Sequence, residues 1–404
     1  MRTLIALAIG RAVRKLIRIF RHGGGSAVPG TIASKIQPKL FEIAISKFPL
    51  GLVVISGSSG KSSTTKFLVQ ILEAQGMKVF SNPSTANIEQ GLFSAVLQGA
   101  KGLSLPQADI AVIEMDEAYA AKIGAPLGPK LSVITNVMDE QLDRFGDSSY
   151  VFGALRTLAL GSKRVLANGN DSTLAELSGQ GVKFFGLSEE LANDELAPRY
   201  SLSTGESIKD LDYRLDSVEP FRLITDGQQV QLELVGDGLH VALNFTAAVS
   251  GAMELVTQLD MTKLNETTKN LEGVYGRDTK ETIGGVQTRI LLVQNRESFR
   301  LNLLKALDAE QLFMGIGTDV KDPSWLWGVD FSRLSKVDVL TGHHAIPMKY
   351  RLQSCSVVVG ELIDDFEEAL NKFLSKEPPS TGERVLIVTA DTFRRLKRSL
   401  ELGA

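Results

Sequence analysis

A chain of 404 residues is long enough for two or three domains with cores of their own. Its 43% hydrophobic and 23% charged content is ordinary for a water-soluble globular protein, and a net charge of −3 gives no reason to expect nucleic acid as a partner. The only cysteine, Cys355, excludes a disulfide framework and a cysteine-built zinc site, and suits a reducing cytosol.

Residues 1–22, MRTLIALAIGRAVRKLIRIFRH, hold six arginines or lysines and no acid. Val13, Leu16, Ile17 and Phe20 fall on one helical face, with Arg11, Arg14, Lys15 and Arg18 opposite. The apolar run before Arg11 is too short to span a bilayer, and no small-residue cleavage site directly follows it. Two readings stand: a helix lying on an anionic membrane surface, or one packing its apolar stripe on the next domain. They coexist if only the basic face meets lipid. GGGSAVPG, residues 23–30, is a loop signal that closes this element.

The stretch VVISGSSGKSSTT, residues 53–65, runs from an apolar strand into glycines, a lysine and hydroxyls. A strict P-loop wants glycine six positions before the lysine, where Ile55 stands. The physics still fits: Gly57 and Gly60 let the backbone turn its N–H groups toward an anion, Lys61 offers charge, and Ser62 a hydroxyl for magnesium. Phe67, Leu68, Ile71 and Leu72 follow at helical spacing, so Lys61 stands at a helix N-terminus that favours phosphate. The competing reading is a capping turn rich in small residues.

Strand and helix then alternate. KVFSN leads to a helix around 88–99, ADIAVIEMD to one around 117–123, and KLSVITNV to one around 149–160. RVLANGND with its helix, and VKFFGL, come next. This order predicts a mostly parallel sheet covered on both faces. Residues 197–243 alternate like antiparallel strands, and an alanine-rich helix, NFTAAVSGAMELVTQL, follows. GVYGRDTKET, residues 273–282, reads as a domain exit. Beyond it TRILLVQN, QLFMGIG, KVDVLTG, SCSVVVG and RVLIVTA predict a smaller Rossmann-like α/β domain without a Gly-x-Gly-x-x-Gly fingerprint. The expected division is 1–46, a basic helix and linker; 47–280, a central ATP-binding domain; and 281–404, a C-terminal domain.

Ligands gather at the carboxyl ends of strands in an open α/β sheet. Glu114, Asp116 and Glu117 end one strand, Asn136, Asp139, Glu140 and Asp143 another, and Asn82, Ser84 and Asn87 a third. Magnesium wants hard oxygen ligands and keeps several waters, so one hydroxyl and one carboxylate suffice. Glu114 caps its apolar run directly and is the first choice. Asp116 and Glu117 are better read as solvated acids at a helix start.

Several stretches add up to a resemblance. GSSGKSSTT is similar to the GTxGKTTT loop of the Mur ligases, and within that superfamily the chain resembles the MurT family of lipid II isoglutaminyl synthase subunits. NPSTANIEQG, VIEMDEA, TNVMDEQLDRFGD, LANGND, YGRDTKE, LLVQNRESF and DPSWLWGVDF carry this along nearly the whole chain. The resemblance implies an α/β fold with a Mur-ligase-type P-loop ATPase domain and a Rossmann-like C-terminal domain. It implies ATP-dependent amidation of the D-glutamate α-carboxylate of the lipid II stem peptide through an acyl phosphate, with ammonia from a GatD-like glutaminase in a heterodimer. On this reading Gly57, Ser58, Ser59, Gly60, Lys61, Ser62 and Ser63 hold phosphates, and Ser62 with Glu114 holds Mg2+. Asn244, Arg277 and Asn295 approach the nucleotide, and Lys61 stabilises the transferred phosphoryl. Asp322, with Asp319 and Asp330 behind it, faces the partner's Cys–His pair; the competing reading of Asp322 is a turn cap before Pro323.

Departures accompany the resemblance. The family's four-cysteine zinc ribbon is absent, so no zinc is expected. An Arg-Asp pair of the family reads Asp139-Glu140 here, a lysine reads Gln294, an Asn-Asp pair reads Met314-Gly315, an acid reads Gly328 and an arginine reads His344. Two alternatives follow: a Mur-like ligase with another amine acceptor, or a scaffold that binds nucleotide and has lost catalysis. The expected location is the cytoplasm, with the inner membrane face as the place where the basic helix would meet lipid.

Overall fold

The computed structural model describes residues 1–20, 27–83, 86–138, 148–177, 179, 181–200, 206–234, 238–271, 277–380 and 383–402. The described residues divide into two compact units, one formed by those up to 271 and one by those from 277 onward.

The first unit begins with three helices, α1 (Arg2–Phe20), α2 (Ala27–Ile36) and α3 (Leu40–Ile45). Ala27 to Gly30, read from sequence as loop, open α2 instead; Pro29 sits in its first turn, where no N–H is needed. The buried face of α1 shares Val13 and Ile17, both half-buried, with the expected stripe but not Leu16, and the Phe20 side chain lies outside the described residues. Ala6, Leu7 and Gly10 turn inward while Leu16 is exposed, because α1 packs on α2 and on α5 (Glu89–Gly99) through small residues.

A nine-stranded sheet forms the body of the first unit, in the order β2-β3-β1-β4-β5-β6-β7-β8-β9. Its parallel part holds β1 (Leu52–Ser56), β2 (Val79–Ser81), β3 (Ile110–Glu114), β4 (Leu131–Ile134), β5 (Val165–Asn168), β6 (Val182–Leu187) and β7 (Tyr213–Val218). β1, β3, β4 and β5 are buried at every residue, as strands covered on both faces must be. β8 (Phe221–Thr225) and β9 (Gln228–Leu232) extend the edge as an antiparallel meander. The alternating run HVALNF, expected as strand, is instead the start of the helix Leu239–Leu255. Its alternation is overridden by Leu239, Ala242, Leu243 and Ala247, which are buried at helical spacing.

That helix covers the sheet beside α4 (Lys61–Ala74), the helix that follows the glycine-rich loop. Phe245 joins them: its ring meets Phe67 of α4 at 6.0 Å and Phe221 of β8 at 5.0 Å, both edge-on.

The second unit holds a six-stranded sheet, β10-β11-β15-β12-β13-β14. The five expected strands are β11 (Val286–Leu292), β12 (Gln311–Gly315), β13 (Lys336–Thr341), β14 (Val358–Ile363) and β15 (Arg384–Val388), all parallel. β10 (Arg277–Ile283) adds an antiparallel edge where the sequence suggested only a domain exit. Its alternating charges are those of an edge strand and disguise it.

Phe245→Ala should destabilise the first unit by about 3–5 kcal/mol, through lost burial and the cavity left between α4 and β8. Urea denaturation followed by circular dichroism measures this.

Candidate active site at the phosphate loop

The loop of residues 57–60 joins β1 to α4 at the carboxyl edge of the parallel sheet. Gly57 has φ +125° and Gly60 φ +87°, conformations that L side chains rarely adopt. Space is closed as well: a Cβ on Gly57 would lie 2.4 Å from Thr135 Oγ1, and one on Gly60 2.2 Å from Asn244 Oδ1. The helix Leu239–Leu255 thus sets Asn244 directly against the end of the loop.

The segment after β4 grips the other side. The Ser58 N–H donates to Asn136 O at 2.9 Å and the Ser59 N–H to Asn136 Oδ1 at 2.8 Å, while Asn136 Nδ2 donates to Ser59 O at 3.0 Å. The Met138 N–H donates to Ser58 Oγ at 2.9 Å. Asp171, from the LANGND motif, accepts from the Val137 N–H at 2.7 Å and the Thr173 N–H at 3.1 Å. Burial pushes its carboxyl up to about 6, against the pull of these donors.

Lys61 is the first residue of α4, and its ammonium curls back over the loop. It donates to Gly57 O, to Ser58 O at 3.1 Å, and to Glu117 Oε1 at 2.7 Å. Glu117 is buried, so the pair is largely desolvated. This corrects the reading of Glu117 as a solvated acid at a helix start. Asp116 caps that turn, accepting from the Ala118 N–H at 3.3 Å, but it too is buried and not solvated. The sequence signal for Glu117 was its place three residues beyond the end of a fully buried strand beside β1.

Glu114 closes β3 in register with Ile55 of β1, and is buried. Asn82 locks its backbone, accepting from the Glu114 N–H at 2.9 Å and donating to Glu114 O at 2.9 Å. Asn87 Nδ2 donates to Glu114 Oε1 at 3.1 Å. The carboxylate is therefore pre-oriented, and Ser62 stands buried in the first turn of α4. Both are hard oxygen donors of the kind magnesium takes. Among the described residues no group of three His, Cys, Asp or Glu could hold a metal, so these two donors fit an ion that shares its shell with phosphate oxygens and water. Ser84, Asp139, Glu140, Asp143 and the Arg277 side chain lie outside the described residues.

In the second unit Asn295 is buried and caps the helix Arg296–Leu304, accepting from the Ser298 N–H at 2.8 Å while Ser298 Oγ accepts from the Asn295 N–H at 3.0 Å. Asp319 accepts from Thr389 Oγ1 and from the N–H groups of Ala390 and Asp391, which commits its carboxylate to a helix N-terminus. Asp322 accepts from the Ser324 N–H at 2.9 Å, and its hydrogen bonds with Ser324 hold its carboxyl below the usual range. Asp330 is held down likewise by Ser332. Of the departures, Met314 is fully buried in the core and Gly315 lies under Thr392, whose Oγ1 donates to Gly315 O at 2.8 Å. Gly328 lies against the Arg296 guanidinium, where a Cβ would come within 2.8 Å of Nε.

Comparison with known proteins agrees with this geometry. Residues 55–252 match the Mur ligase middle domain. The lipid II isoglutaminyl synthase subunit MurT of Streptococcus pneumoniae is 26% identical over 84% of this chain and 83% of its own. That of Staphylococcus aureus strain COL is 24% identical over the full length of both. The chain is a MurT-like member of the Mur ligase superfamily. Its fold is shared with MurF ligase of Thermotoga maritima, solved with ADP, at a TM-score of 0.68 and 20% identity over 92% of this chain and 83% of that one. A type C pseudomurein peptide ligase of Methanothermus fervidus gives a TM-score of 0.69 and 16% identity over 90% and 80%. ATP-dependent ligation is the chemistry of this superfamily.

Two predictions follow from the loop. Glu117→Ala leaves the buried Lys61 ammonium without its carboxylate and should cost about 3 kcal/mol. Mg2+ and ATP should restore more stability to this variant than to the parent, since phosphate replaces the lost charge; thermal melts with and without nucleotide measure it. For Asp171, the folded pKa of about 6 lies above the ordinary 3.8, so the folded state holds the extra proton between those values. Its contribution to stability therefore falls as pH rises through that window. Melting temperature against pH should show this slope, flattened in Asp171→Asn.

Proposed function

We propose that the chain is the synthetase half of an amidating enzyme that converts the D-glutamate α-carboxylate of a lipid II stem peptide to its amide, with ammonia from a GatD-like glutaminase. The observation that carries this reading is the Lys61 ammonium, held over a closed anion-binding loop in a chain similar along its full length to a MurT subunit.

A carboxylate is a poor electrophile, because its charge is delocalised and its oxygen leaves badly. In the proposed reaction a carboxylate oxygen attacks the γ-phosphorus of ATP, the bond to the bridging oxygen breaks, and ADP leaves. The nitrogen of ammonia then attacks the carbonyl carbon of the acyl phosphate, inorganic phosphate departs with its bonding pair, and the nitrogen loses a proton to solvent. Gly60 to Ser63 present backbone N–H groups at the N-terminus of α4, while Asn136 holds those of Ser58 and Ser59, and Lys61 leaves Glu117 to lie on the outer phosphates. Magnesium, held by Ser62 and Glu114, would neutralise charge on the transferred phosphoryl. Asn244, beside Gly60, and Arg277 and Asn295 from the second unit are proposed nucleotide contacts. The division of labour proposed for the chain is 1–46, 47–280 and 281–404, with the last boundary moved ahead of β10, since residue 280 falls inside that strand and β10 pairs with β11.

The partner face is proposed around Asp322. Trp327, Ile346 and Tyr350 are large exposed apolar side chains on two helices that pack together, with the Arg351 guanidinium 6.0 Å from the Trp327 ring. Exposed aromatic groups of this kind anchor interfaces.

The test is amidation of lipid II with amide-labelled glutamine, ATP, magnesium and the glutaminase. Label should enter the stem peptide with matching ADP formation. Asp322→Asn should lower glutamine-dependent amidation at least about ten-fold while sparing amidation driven by added ammonium. Equal loss from both nitrogen sources would contradict the role given to Asp322. ATP binding with no acceptor-dependent ADP formation would favour the scaffold reading.

A further inference from the structure

We infer that the exposed face of α1, with the hollow at its N-terminal end, is a docking surface for an anionic lipid bilayer. This deepens the reading above by saying how the chain meets a lipid-linked substrate, yet it rests on the residues of α1 and not on the ligase chemistry.

The two faces of α1 separate cleanly. Ala6, Leu7 and Gly10 are buried against the unit, and the Arg11 guanidinium donates to Ala100 O at the end of α5, fixing the rotation of the helix. With this face inward, Leu4, Ile5, Ala8, Ile9, Ala12 and Leu16 occupy the outward arc, about 140° wide at helical spacing. Leu4 is 51% exposed, Ile5 41%, Ile9 43% and Leu16 54%. A stripe of this length on a packed helix is more than the scattered apolar residue that any surface shows.

The stripe continues into a hollow of about 430 Å³ lined by Thr3, Leu4, Lys47, Phe48, Leu103 and Leu105, with Leu103 itself exposed. Its charged members have one sign: Arg2 flanks the stripe, Lys15 lies within it, and Lys47 stands at the hollow, all exposed. Residues 1–41 contain eight lysines or arginines, and the first acid is Glu42. A second copy docked through this face about a two-fold axis would set these cations against each other. A bilayer takes both components together. The apolar side chains enter the acyl boundary, and the long basic side chains reach anionic headgroups.

Co-sedimentation of the full chain with phosphatidylglycerol–phosphatidylcholine vesicles tests this, with pure phosphatidylcholine vesicles as reference. The chain should sediment with the anionic vesicles, and the double variant Ile5→Glu/Ile9→Glu should lose partitioning by about ten-fold or more. Both positions are exposed, so its melting temperature and its ATP binding should match the parent's. Retained ATP binding separates this inference from the ligase reading. Failure of the parent to sediment with anionic vesicles, or unchanged sedimentation of the variant, overturns the inference. So does a dimer of the parent in light scattering that the variant abolishes, since a second copy would then own the face.

Discussion

An ammonium drawn out of water must be compensated, and at Lys61 the protein does this with two carbonyl oxygens and a buried carboxylate. Much of the first unit is arranged around that requirement. The carbonyls of Gly57 and Ser58 reach Lys61 because Gly57 adopts a backbone angle closed to other residues, and because α4 begins at Lys61 itself. Glu117 arrives from the end of β3, next to β1 in the sheet. On the proposed function this cation is stored where a phosphate would lie, with a local counter-charge that a stronger anion would displace.

The scaffold keeps the loop in this state from two sides. Asn136 satisfies the loop's own N–H and C=O groups at Ser58 and Ser59, and Asp171 steadies the segment that carries Asn136. On the other side Asn244 leaves no room for a side chain at position 60, while its neighbour Phe245 ties the same helix to α4. Aromatic packing and loop geometry are thus adjacent on one helix, so a packing defect there would reach the site.

Much of the architecture was legible in the sequence because parallel strands buried on both faces leave uninterrupted apolar runs, as in LVVIS and IAVIE. The loop was legible from glycine spacing and the helical repeat of Phe67, Leu68, Ile71 and Leu72. The partnership of Lys61 with Glu117 was not, since it joins residues 56 positions apart through sheet order. HVALNF misled because alternation over six residues is compatible with both strand and helix until burial decides. β10 was missed because an edge strand advertises charge. Asp322 caps the turn by accepting from the Ser324 N–H, and that local bond was the competing reading of the same residue.

The central claim is that Lys61 is exchanged between Glu117 and a nucleotide's phosphates. A crystal structure of the chain with magnesium and a non-hydrolysable ATP analogue tests it most directly. The account predicts the analogue's phosphates over residues 57–63, with Lys61 Nζ moved off Glu117 onto the outer phosphates. A nucleotide bound elsewhere, or Lys61 still paired with Glu117 beside an occupied loop, would contradict it.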